Sequence, residues 1–98
     1  MNYYEEGKKF RQLYSNVDIW PVSFSSNPDD YKDFVKGLFG YYPLHYSRRE
    51  RLALDLKWML KHFCNLESII GDFEGLYRIG ISIKDWDDFL AQDLEYII

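Results

Sequence analysis

The stretch from Ser47 to Cys64 constrains this chain most. Leu52, Leu56, Met59, Leu60 and Phe63 recur at helical spacing, and Leu54 and Trp58 widen the stripe. A helix over about residues 48–64 can therefore bury one face along its whole length. Ser47-Arg48-Arg49-Glu50 reads as a capping box at its start. In a chain of 98 residues such a helix leaves room for a single core, so one helical domain spanning 1–98 is expected. With 47% hydrophobic and 19% aromatic residues, the chain can offset its ordering entropy, which excludes intrinsic disorder.

Other segments supply partners for that helix. Tyr3, Phe10, Leu13 and Tyr14 fall near one face of a helix over 3–14, which Gly7 weakens by about 1 kcal/mol relative to alanine. Asn27 can cap a second helix, with Pro28 at its first position and Asp29 and Asp30 at the positive end of its dipole. Tyr31, Phe34, Val35, Leu38 and Phe39 form its apolar stripe, and Gly40 suits its end. Residues 41–46 read as an aromatic turn. Leu66, Ile69, Ile70, Phe73, Leu76 and Tyr77 continue a helical period, interrupted by Gly71, Gly75 and Gly80. Ser82-Ile83-Lys84-Asp85 opens a last helix with Trp86, Phe89, Leu90 and Leu94 on its buried side. The expected class is all-α, a bundle of four to five short helices. The alternative is α+β, with 17–24 and 79–83 as a small antiparallel pair.

Several chemistries are excluded by residue type and spacing. The single Cys64 rules out an internal disulfide and a cysteine-based zinc cluster, and a small buried hydrophobe is its better reading. His62 and Cys64 sit about 200° apart around a helix, so they form no local nucleophile–base pair. The two histidines, His45 and His62, make no H-E-x-x-H pairing, so neither a metal nor another cofactor is expected. No glycine-rich phosphate loop is present. Arg48, Arg49 and Arg51 surround Glu50 on a net acidic chain, which gives little counterion-release affinity for nucleic acid. No apolar run is long enough to cross a bilayer, and the first residues lack a basic-then-apolar leader. A cytoplasmic protein without catalytic activity is the expectation.

Charge is divided unevenly. Residues 1–64 hold eight acids and ten bases, whereas residues 65–98 hold eight acids and two bases. The final third therefore carries −6, a field that attracts cationic partners. Its candidate binding residues are Asp72, Glu74, Asp85, Asp87, Asp88, Asp93 and Glu95, with Tyr77, Trp86 and Tyr96 as aromatic anchors among them. Trp86 has a competing reading as a core residue.

Asp33-Phe34-Val35-Lys36-Gly37-Leu38-Phe39-Gly40-Tyr41-Tyr42, the leucine-patterned segment from Arg51 to Phe63, and Ile83-Lys84-Asp85-Trp86-Asp87-Asp88-Phe89-Leu90 together resemble immunity proteins of contact-dependent growth inhibition toxin systems. The resemblance covers about two-thirds of the chain. It implies a small cytosolic inhibitor that covers the active or substrate-binding surface of a bacterial toxin domain, typically a cationic nuclease. It transfers no catalytic residue. The expected partner is a basic protein, bound by a chain that is monomeric when free. The alternative is a regulatory adaptor or self-associating subunit using Tyr41, Tyr42 and Tyr46.

Overall fold

The computed structural model describes residues 2–20 and 27–95. These form α1 (Tyr3–Leu13), a 3-10 turn (Tyr14–Asn16), α2 (Pro28–Phe39), β1 (Leu44–Ser47), α3 (Glu50–Cys64), β2 (Ile69–Phe73), β3 (Leu76–Gly80) and α4 (Ile83–Glu95). The class is thus α+β, and the all-α expectation is overturned by a three-stranded antiparallel sheet of order β1-β3-β2. The alternative class fits, with its strands elsewhere. Residues 17–20 carry no strand, 21–24 lie outside the described residues, and only 79 and 80 of the second segment fall in β3.

The segment expected to be a helix over 66–77 is a hairpin instead. Phe73 faces Leu76 across a two-residue loop, where Glu74 has φ 50° and Gly75 φ 82°. Positive φ at both central positions is the type I′ arrangement, whose twist matches that of the flanking strands. Ile70, Asp72, Tyr77 and Ile79 then point to one side, and Ile69, Phe73, Leu76 and Arg78 to the other. Both sides carry apolar residues, and that produced the misleading helical spacing. The supposed aromatic turn likewise contains β1, in which His45 and Ser47 face inward and Tyr46 outward.

The helix ends follow local chemistry. The Asn27 side chain accepts from the Asp29 backbone N–H at 3.0 Å, and Pro28 follows as the first helical residue. Gly40 closes α2 with φ 62°. Ser47 does not form the expected capping box. Its hydroxyl donates to the Arg49 carbonyl and accepts from the Arg49 N–H, because strand geometry persists through Ser47 and α3 starts only at Glu50. Ser82 does cap α4, its Oγ accepting from the Asp85 N–H at 3.1 Å. Ser82→Ala is expected to cost about 1 kcal/mol, read as a lowered urea midpoint with an unchanged slope.

Core packing joins α2 and α3 to the inner sheet face. Phe34, Val35, Leu38, Leu56, Met59, Leu60 and Ile79 are all within 1% of full burial. Leu54 and Trp58 stay about half exposed, so the buried stripe of α3 is narrower than its sequence pattern. Trp20 is buried. Its indole N–H donates to the Leu52 carbonyl at 2.8 Å, fixing the connector after α1 against α3. Helices α1 and α2 meet through glycines: a Cβ on Gly7 would lie 2.2 Å from the Phe34 carbonyl oxygen, and one on Gly37 would lie 2.1 Å from the Tyr4 carbonyl oxygen.

Candidate protein-binding surface

Two separate elements present the carboxylates of the final third. The hairpin holds Asp72, within β2, and Glu74, in its two-residue loop, both exposed. The first turns of α4 hold Asp85, Asp87 and Asp88, also exposed. Glu74 precedes β3 and Asp72 lies opposite Tyr77 near its start, whereas α4 follows its other end; β3 spans five residues or about 16 Å at the usual rise. The expected acidic face is therefore two patches. Among the described residues none of these five carboxylates forms an ion pair with a lysine or arginine. The side chains of Asp93 and Glu95, and all of Tyr96, lie outside the described residues.

Trp86 is not a surface anchor. Its exposure is 0%, its indole N–H donates to the Gly40 carbonyl at 2.9 Å, and its ring lies 5.4 Å from those of Phe39 and Phe89. A large ring between two phenylalanines buries more apolar area than it could at the surface, and the carbonyl satisfies its one donor. Trp86 instead fixes the helix that carries the α4 acids. Tyr77 is half-buried on the inward sheet face, in a cleft of about 480 Å³ whose lining includes Leu54, Lys57, Ile70 and Asp72.

The α4 patch borders a groove of about 240 Å³. Asp85, Asp88 and Gln92 line one wall, while Cys64, Asn65, Leu66 and Glu67 line the other. Glu67 pairs with Lys61, whose hydrogen bond and charge hold that carboxyl below its ordinary range. Cys64 is buried, and desolvation pushes its thiol up to about 12. A thiol so rarely ionised is a weak nucleophile.

The histidines occupy different environments. His45 is buried between Trp20 and Phe39, with ring centroids at 5.4 and 6.3 Å. Burial pushes its pKa down to about 4, and its Nε2 finds no hydrogen-bond partner among the described residues. His62 is exposed and lies against Trp58 at 4.4 Å. No group of three or more His, Cys, Asp or Glu able to hold a metal occurs among the described residues. Nor is any described helix long and apolar enough to cross a membrane.

The outer sheet face carries a ring cluster that no local sequence pattern marks. Tyr14, Tyr46 and Phe73 form a chain of rings at 5.3 and 5.5 Å, with the Arg78 guanidinium 5.7 Å from the Phe73 ring. Strict alternation through β1 and β3 would have placed Tyr46 and Arg78 together, but recognising it requires knowing that those segments are strands. Comparison with protein-family models, curated proteins and solved structures found no match to this chain.

Proposed function

We propose that this chain is a non-catalytic protein-binding domain of the immunity type. It takes up a basic toxin domain in the cytoplasm, a cationic nuclease being the favoured class, and covers its active or substrate-binding surface. The observation that carries this reading is the set Asp85, Asp87 and Asp88, exposed and without cationic partners among the described residues, on a helix pinned by Trp86. Carboxylates held on a rigid element and not neutralised internally steer a cationic surface toward them. Asp72 and Glu74 supply a second contact for a partner broad enough to span β3.

The test is capture of the toxin domain encoded directly upstream. Asp87→Asn combined with Asp88→Asn is expected to weaken binding roughly tenfold at low ionic strength and only about twofold in high salt. Equal losses at both would overturn charge steering. Continued killing on co-expression of the unaltered chain with that toxin would overturn the function itself.

A second reading, an adaptor or self-associating subunit, is favoured by Tyr41 and Tyr42, which are 93% and 78% exposed. Tyr46, the third residue of that patch, is half-buried between Tyr14 and Phe73. Binding through these rings would be insensitive to salt.

A further inference from the structure

We infer that, in place of the free monomer expected from the sequence, β2 pairs with β2 of a second copy of this chain, antiparallel about Gly71, joining two three-stranded sheets into one of six strands. The two edges of the sheet differ. The Tyr14–Asn16 turn packs against β1, where the rings of Tyr14 and Tyr46 lie 5.3 Å apart. Among the described residues no strand pairs with the outer edge of β2. Natural edges are usually blunted by proline, charged side chains, short strands or a bulge. β2 has no proline, its register against β3 is unbroken, Ile69 and Phe73 are 78% and 41% exposed, and its single charge is Asp72, which a second copy has to accommodate.

The register follows from the hairpin. A two-residue type I′ loop is closed by a hydrogen-bonded pair, here Phe73 and Leu76. Because such pairs alternate, Gly71 and Ile69 also bond to β3, which leaves the N–H and C=O groups of Ile70 and Asp72 pointing outward. Centring the two copies on Gly71 sets Ile70 opposite the second copy's Asp72, so each outward group finds a partner. Ile69 then meets the second copy's Phe73, continuing the apolar outer face. A slip by two residues in one direction would place the two Asp72 carboxylates opposite each other. A slip in the other direction would shorten the ladder.

Charge supports the same register. Glu50, Leu54 and Lys57 line the cleft beside Ile70, and Lys57 forms no ion pair among the described residues, although its charge also acts on Glu67. Glu50, Leu54 and Lys57 lie beside residues 69–72 while Lys61 and His62 lie beside residues 66–68, so α3 and β2 run in opposite directions, and moving from Asp72 to a position opposite Ile70 leads away from Glu50 at the start of α3. The second copy's Asp72 thus reaches the lysine side of the cleft, and in the paired form Glu74 and the α4 acids are the carboxylates left for another partner.

Sedimentation velocity across a concentration series tests the pairing, together with amide hydrogen exchange read residue by residue. The expected mass rises toward twice that of one chain, and exchange at Ile70 and Asp72 slows by roughly tenfold as it does. Ile69→Lys, at a site exposed enough to leave the fold intact by circular dichroism, is expected to weaken association by roughly tenfold or more. A single-chain mass at every concentration would overturn the proposal. So would a dimer that leaves the Ile70 and Asp72 amides exchanging freely, or one that Ile69→Lys does not weaken.

Discussion

Gly37→Ala is expected to lower the melting temperature by about 10 °C, although alanine is the better helix former. Alanine brings about 1 kcal/mol in helix propensity. Its methyl, however, would sit 2.1 Å from the Tyr4 carbonyl oxygen and 3.0 Å from the Lys8 nitrogen, which are backbone atoms that no rotamer change can move aside. The two helices must separate, loosening the edge-to-face contact of Phe10 with Phe34 at 5.6 Å. Overpacking of this kind costs about 3 kcal/mol, leaving a net loss of about 2 kcal/mol. Gly7→Ala, with a contact of 2.2 Å to the Phe34 carbonyl oxygen, should behave alike. Gly71→Ala is the control, because a Cβ there meets nothing within 4 Å. Thermal melts of the three variants decide the matter. A Gly37→Ala protein as stable as the parent would mean that the glycine contact does not set the helix spacing.

The second large effect is a loss of stability in mild acid centred on His45. The imidazole titrates near 6.5 when unfolded and at about 4 when folded. Between those values the unfolded chain binds more protons, so stability falls as the pH drops through that window. The full depression corresponds to roughly 3 kcal/mol, present above pH 6.5 and lost by about pH 4. His45→Phe keeps a ring between Trp20 and Phe39 and removes the titrating group. Urea unfolding from pH 7 to pH 4 should show a steep decline for the parent and a clearly shallower one for the variant. Equal slopes would mean that another group controls acid unfolding.

Both effects arise where sequence patterns conceal tertiary contacts. The ends of α2 were legible because Asn27-Pro28 and Gly40 act through neighbouring backbone, and Ser82 was legible for the same reason. The α3 stripe was legible in outline. The hairpin was not, because Ile69, Ile70, Phe73, Leu76 and Tyr77 satisfy a helical period whenever both faces of a strand carry apolar side chains. Gly7 resembled a helix defect until α2 was placed against it. Of the candidate site, the exposure of Asp72, Glu74, Asp85, Asp87 and Asp88 follows from the expense of burying an unpaired carboxylate. Their division into two patches depends on strand direction, which no local pattern encodes. Trp86 was ambiguous because a tryptophan between aspartates suits either a pocket or a core, and only the position of the Gly40 carbonyl selects one.

The seam between α3 and α4 has a practical corollary. Cys64 is the chain's sole sulfhydryl, and it shares a groove with Phe89. Alkylating reagents require an accessible thiolate, so this buried thiol reacts faster whenever the packing around it opens. The pace of their incorporation therefore reports opening of the packing around Cys64, and the native molecule carries its own gauge of that motion.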